Sequence, residues 1–513
     1  MSHRRKILIV VVVALCTAIL VPVLRHYQLR AATEAYIAEL KAKGEPMDLA
    51  QIIPPPVPPE QNSADTFRSA AALLDADKSL LKTSYVSGMS MVAPGRAMIC
   101  WQQPDVRDSD ATNSWEDVTA AVAQNSKSFL LLQQIIDKPD FDFQIKYRPG
   151  IGGLNFTNLC LAESKRAAQR LGVVVLCDLH CGDTDSAVKN LRALLALVKA
   201  MRDERFVISE LVRMAMASIA LSGNWELLQS PNPTDEQLAE LQRDWMDLDF
   251  MQGCENALAM ERVRERSTAA ELRNSNSKLQ DYFDTLFESP KPGGKESLFD
   301  RAKIETKFFE WRYWWSYPDE LRLVKGCQVL LETTRSAGTN YSLKTTLHEQ
   351  ENKLQGLGIN ASSAGSMQFS NRTDLHSVMS SSVYPLSRFF VRVMRAETAK
   401  QMTITAIALK RYQLKHGNYP PDLDSLVPEF ILKVPLDPMN GQPLCYRRNA
   451  DGTFLLYSVG ENGEDDGGDP SLSPNVESSY FYWQNSRALD WVWPQPATAG
   501  EIQAYYDRQK SGK

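Results

Sequence analysis

Histidine is scarce in this sequence, with six residues in 513, and no His-Glu-x-x-His, nucleophile elbow or glycine-rich phosphate loop occurs. Those absences remove the commonest zinc, serine-esterase and nucleotide signatures. Ser79-Leu-Leu-Lys82 and Ser186-Ala-Val-Lys189 have a Ser-Lys spacing but lack the companion motifs of the penicillin-binding type. Excess positive charge is also missing. A formal charge of −5, with no basic stripe interleaved with aromatics, gives no footprint for nucleic acid. There are eight cysteines, of which Cys100, Cys160, Cys177, Cys181, Cys254, Cys327 and Cys445 lie beyond the N-terminal run. An odd, scattered set is not a disulfide framework, and these residues read mainly as small buried hydrophobes. Cys177-Asp-Leu-His180-Cys181 has the residue types of a metal knuckle but no second ligand pair at zinc-site spacing.

The sequence has one long apolar run. Residues 7–24 carry no charge, and Arg4, Arg5 and Lys6 precede them. Eighteen residues at about 1.5 Å each just cross a hydrocarbon core, and the basic flank keeps the short tail in the cytoplasm. The run ends Val-Pro-Val-Leu-Arg25 without small residues for cleavage, which favours an uncleaved signal anchor over a cleaved signal peptide. Leu15 before Cys16 argues against a lipoprotein site. Residues 27–513 are then expected to lie outside the cytoplasm.

The rest divides by composition. Residues 27–61 combine helix formers with Pro54-Pro-Pro-Val-Pro-Pro59, expected to stand as a polyproline spacer. Residues 62–336 show helical apolar spacing, including an αα-hairpin broken at Gly182-Asp-Thr-Asp185 and a capping box at Thr234-Asp-Glu-Gln237. No period of about 34 residues repeats, so an irregular helical array is predicted. Within it, residues 308–317 concentrate aromatics on both faces of a helix and read as core, with a glycan or lipid-interface platform and a partner hot spot as alternatives. Residues 337–383, rich in Ser, Gly and Asn, read as a linker.

Residues 384–513 form the last unit. A helix from about Leu386 to His416 stops at Gly417, and two strands flank Asn449-Ala-Asp-Gly452. The loop Glu461-Asn-Gly-Glu-Asp-Asp-Gly-Gly-Asp469 then crowds five acids and an amide among three glycines. Carboxylates this close repel one another unless a hard cation joins them, so a structural Ca2+ is expected. Asn462, Glu464, Asp466 and Gly467 follow the start of an EF-hand rhythm, but Ser473 stands at position twelve, where a bidentate Glu would close the loop. The paired tryptophans of Asp490-Trp-Val-Trp-Pro494 are expected to pack back on this unit.

The order helix, Gly417-Asn-Tyr-Pro, Leu426-Val-Pro, Asp437-Pro-Met-Asn-Gly-Gln-Pro, hairpin, Tyr457-Ser-Val-Gly-Glu-Asn-Gly resembles the globular domain of the type II secretion major pseudopilin, over roughly residues 386–470. The whole chain also resembles uncharacterised membrane-anchored bacterial proteins ending in such a domain. The resemblance implies a calcium loop with a carbonyl ligand at Val459 and side-chain ligands at Asn462 and Asp469, joined by Glu464, Asp465 and Asp466. The pseudopilin processing site is missing and the anchor lies far upstream of the domain, so filament assembly by that route is not implied.

The expected architecture is therefore mainly α: a transmembrane helix, a helical array and a C-terminal α+β pseudopilin-like domain. With the anchor, the resemblance implies the inner membrane of a bacterium with the bulk of the chain periplasmic, and the expected role is structural or adaptor-like in an envelope or secretion-related assembly, with the helical region taking protein partners. Two rivals are an extracytoplasmic hydrolase, signalled by a pocket lined by His348 or His376, and a solute- or glycan-binding receptor.

Overall fold

A computed structural model describes residues 3–76, 88–107, 112–147, 160–287, 305–338, 342–359, 377–472 and 488–510, with side chains described in these except for 3–19 and 283–287. The chain is mainly helical, with small sheets. Helix α1 (His3–Ala42) runs unbroken through Pro22. It contains the apolar run 7–24, of which residues 7–19 lie outside the described side chains. Among the described residues no helix is long and apolar enough to cross a membrane.

Helix α2 (Ala64–Ala76) is followed by the hairpin β1 (Ser90–Ala93) and β2 (Arg96–Met98), then β3 (Val106–Arg107), β4 (Thr112–Asn113), α3 (Trp115–Gln124) and α4 (Ser126–Gln133). The predicted αα-hairpin is α5 (Leu161–His180) and α6 (Thr184–Ala200), started afresh where the Asp183 carboxylate accepts from the Ser186 amide. Helix α7 (Val207–Leu228) follows, then α8 (Asp235–Met246), which begins with the Thr234/Gln237 capping box. Next come α9 (Phe250–Asn274) and α10 (Asn276–Phe287). A π turn at Trp311–Trp315 leads into α11 (Ser316–Ala337).

The expected linker is partly helix. α12 (Leu343–Gly356) buries Leu343 and Leu354 with Leu347 beside them, and the Leu343 amide donates to the Met439 carbonyl at 2.9 Å. Its leucines at spacings of four and seven make one face, which composition alone did not reveal. Helix α13 (Val383–His416) ends at Gly417 with φ +78, a left-handed stop that suits glycine. It packs on α7, α8, α9 and α11. One buried apolar cluster takes in Ala337, Leu343, Leu354, Ile359, Val378 and Val383, so the described parts of 337–383 belong to the core; 339–341 and 360–376 lie outside the described residues.

Strands β5 (Cys445–Arg448) and β6 (Phe454–Ser458) pair antiparallel, with Cys445 opposite Tyr457, and β7 (Trp491–Val492) adds to β6. The tail then leaves this sheet. β8 (Gln495–Pro496) pairs parallel with β2, Trp225 Nε1 donates to the Pro494 carbonyl at 2.9 Å, and α14 (Ala499–Lys510) covers β1. The tryptophans pack inward as expected, but the tail ties both parts of the chain together.

The proline run does not stand off as a spacer. Ile52 is buried, its carbonyl accepts from Arg205 at 2.5 Å, and the Ser63 amide donates to the Asp140 carbonyl. The second half of α1 is likewise docked on α11, where Ile37, Leu40 and Met47 close over Val324. Below them the Glu45 carboxylate accepts from Arg262 at 3.0 Å and Gln328 at 3.1 Å and pairs with Arg335. Arg262 is fully buried. Burial alone would raise the Glu45 pKa, but these donors hold it down at about 2. Removing Glu45 strands a buried guanidinium. Glu45→Ala is expected to cost about 3 kcal/mol in urea unfolding and to open residues 27–43 to trypsin. In the wild type this contribution is present above about pH 4.5 and is lost as acid titrates the carboxylate down toward pH 2. Unfolding curves and digestion patterns that match the wild type would contradict this.

Candidate functional site

The acidic loop begins on a rigid footing. Asp437, 1% exposed, accepts from the Met439 amide, the Ser458 hydroxyl and the Val459 amide, each at 2.9 Å. One carboxylate thus fastens the Pro-Met-Asn-Gly turn to the end of β6. Beyond Val459 the side chains turn to separate partners. Glu461 pairs with Arg395, and Glu464 meets Lys344 at 3.1 Å on the surface. Asp465 Oδ1 accepts from the Tyr457 hydroxyl and the Gly467 amide, both at 2.9 Å. Asn462 Nδ2 donates to Asp466 Oδ2 at 2.8 Å, and Asp469 Oδ1 accepts from the Ser471 amide at 2.9 Å. Gly468, at φ +82, brings the backbone so close to β6 that a Cβ would lie 2.6 Å from Leu455 Cδ2.

Calcium takes six to eight oxygens at about 2.3–2.6 Å. Among the described residues no three His, Cys, Asp or Glu side chains are grouped so as to hold a metal ion, so the six expected ligand positions share a loop without forming a cage. Ser473 lies outside the described residues. Two features nonetheless suit a cation. Asp465, Asp466 and Asp469 have no basic partner among the described residues, and a further carboxylate faces the loop. Asp490, 1% exposed, accepts the Gly468 and Asp469 amides on Oδ2 at 2.8 and 3.2 Å, while its Oδ1 is buried without a hydrogen-bond partner. Its only trace in the sequence is a lone acid before an apolar pair.

The Cys177–Cys181 segment is structural. His180 Nδ1 donates to the Trp101 carbonyl at 2.8 Å, and the imidazole stacks on Trp115 at 4.1 Å. Cys177 Sγ lies 3.4 Å from the Thr119 hydroxyl, its pKa pushed up to about 11 chiefly by burial, whereas Cys181 is exposed. All seven described cysteines are free. The pocket expected for a hydrolase is not built from His348, which is exposed on α12; His376 lies outside the described residues.

A cavity of about 390 Å³ opens instead where the proline run crosses the helical body. Its lining includes Pro54, Phe141, Phe143, Tyr147 and Glu204. Phe67 braces the wall, with its ring centroid 5.3 Å from Phe141 and 5.9 Å from Phe143, and Tyr147 stacks on Phe206 at 5.6 Å. Two non-glycine residues here, Gln144 and Arg205, hold left-handed backbone at φ +54 and +58. Glu204 is 5% exposed, and neither carboxylate oxygen has a hydrogen-bond partner among the described residues. Burial raises its pKa to about 8, against a smaller lowering by the Ser209 hydroxyl and with the nearby Glu210 adding to the rise. Near neutral pH this acid keeps its proton and can donate a hydrogen bond. Sequence could not single it out, because one Glu in Met201-Arg-Asp-Glu-Arg205 looks like any surface charge.

No protein-family model, curated protein or solved structure is significantly similar to this chain.

Glu204 binds an extra proton in the folded state between its unfolded value near pH 4.5 and about pH 8. Folding stability should therefore fall as pH rises through that window, by up to about 1.4 kcal/mol per unit from this group. Glu204→Gln removes the slope: its thermal midpoint is expected to exceed the wild type at pH 8 and to converge with it near pH 5. Parallel profiles would show that Glu204 is ionised in the fold.

Proposed function

We propose that the chain is a membrane-anchored extracytoplasmic protein of structural or adaptor type, acting in an envelope or secretion-related assembly. The observation that carries this reading is α1. One helix contains both the apolar run 7–24 and a second half clamped to the body by Glu45, Arg262 and Arg335. Forty residues at about 1.5 Å each reach roughly 60 Å, enough to cross a bilayer and enter the body without a hinge. Such a joint suits a protein that holds partners at a fixed height above the inner membrane, with the helical body as the partner surface. The full-length chain is expected to stay in the membrane pellet through an alkaline wash, and a C-terminal alkaline phosphatase fusion is expected to be active. Release by the wash or an inactive fusion would overturn the reading.

The C-terminal part is proposed to be a pseudopilin-like module stiffened by calcium. The carboxylates of Asp465, Asp466 and Asp469, which have no basic partner among the described residues, and the Oδ1 of Asp490, buried without a hydrogen-bond partner, support this. Because α13 shares its core with α7–α9, the whole chain is the unit to test. Calcium in large excess over its dissociation constant should stabilise the native state by about 2.7 kcal/mol at a hundredfold excess. The thermal midpoint of the wild type should rise with calcium and fall back with chelator, while Asp469→Ala should not respond. Equal melting with and without calcium would remove the metal from the account.

The Glu204 cavity favours a second reading, a receptor for a small neutral solute with an apolar body and one hydrogen-bond acceptor. Its volume and aromatic wall suit such a ligand.

A further inference from the structure

The aromatic stretch 308–317 is only half buried. Phe308 and Trp311 point into the core at 5% and 0% exposure, but Phe309, Tyr313 and Trp314 are 57%, 45% and 39% exposed. The helical array covers only one side, so the expectation of an all-round core is corrected. The Phe309 and Tyr313 rings lie 4.7 Å apart and form one surface.

The position of that surface says what it meets. Tyr313 and Tyr317 hold the chain at His26: His26 Nδ1 donates to the Tyr313 carbonyl at 2.9 Å, and its ring centroid lies 5.6 Å from Tyr313 and 5.2 Å from Tyr317. Thr33 donates to the Tyr317 carbonyl at 3.2 Å, and the Arg273 guanidinium caps the Tyr317 ring at 4.3 Å. His26 stands two residues beyond Leu24, where the apolar run ends, about 3 Å along the helix axis. On the same helix Leu20, Val21, Leu24 and Tyr27 are themselves 52–61% exposed. Three exposed aromatics therefore sit level with the point where the apolar run gives way to polar sequence. That is the depth at which tryptophan and tyrosine gather on membrane proteins, because their rings favour the acyl boundary while the indole N–H and phenol O–H reach water and headgroups.

We infer that Phe309, Tyr313 and Trp314 form an interfacial seat that rests the body on the phospholipid bilayer crossed by residues 7–24. This inference rests on the anchor reading of α1. With α1 clamped at Glu45 and the aromatic face at the lipid surface, the body is held at two points and cannot swing. The occupant is a lipid surface, because the exposed aromatic face continues from an apolar helix that needs the same medium.

The test uses the full-length chain reconstituted in phosphatidylcholine vesicles, with and without bromine on the acyl chains near the headgroup, comparing wild type with Trp314→Phe. Flotation reports the anchor, and tryptophan emission reports the seat. Both proteins are expected to float, and the difference between their emissions, which isolates Trp314, is expected to be mostly lost in brominated vesicles. If both float but that difference survives bromine, the face is not at the lipid and the inference fails. It also fails if the difference survives and the protein sediments as a dimer that Phe309→Ser dissociates, which would make the occupant a second copy. If neither protein floats, the anchor reading has failed and the seat falls with it. Trp314 is partly exposed and Phe keeps an apolar ring, so matching thermal melts are expected to verify that the variant is folded.

Discussion

The buried contact between Glu45 and Arg262 decides how the molecule is put together. A guanidinium with no solvent exposure is costly to hold without an anion, and the anion here comes from the turn that ends α1. Gln328 and Arg335 from α11 complete the set, so the charge of one carboxylate joins three segments far apart in sequence. A flexible tether has no reason to keep such a group. Its presence makes the N-terminal helix part of the body, and both the proposed anchor and the interfacial seat depend on that rigidity.

A second joint lies at the opposite end of the chain. β7 completes the small C-terminal sheet, and two residues later β8 pairs with β2 of the N-terminal hairpin. Trp225 of α7 binds the carbonyl between them. The hairpin itself is held from below by Glu226, fully buried, whose carboxylate accepts the Met89 amide at 2.7 Å and the Cys100 amide at 3.0 Å. The acidic loop and its Asp490 are therefore carried on a frame that includes α7. Any stiffening of that loop by a cation acts on the whole body rather than on a detachable module.

Much of the local structure could be read in advance. The α5/α6 hairpin, the Thr234 capping box, the Gly417 stop and the Asn449–Gly452 turn are each set by residues within one or two turns of chain, where side-chain to backbone bonds and left-handed backbone leave little choice. The readings of 54–59 as a free spacer and of 343–356 as part of a linker went astray for one reason. Proline and serine content describes what a segment does in water, whereas here a buried Ile52 and the leucine face of α12 give those segments something to pack on.

The sequence by itself determined the helical class, the single apolar run and the acidic loop, since periodicity, hydropathy and charge density are properties of neighbours along the chain. Tertiary structure alone decided which charges are buried and which rings are bare. Glu204 and Asp490 become unusual only because distant segments close over them without supplying donors to every oxygen. Phe309, Tyr313 and Trp314 become a surface only because the helical array covers one side of their helix and α1 meets the other end at His26. Burial depends on what arrives from elsewhere in the chain, and no window of sequence contains that information.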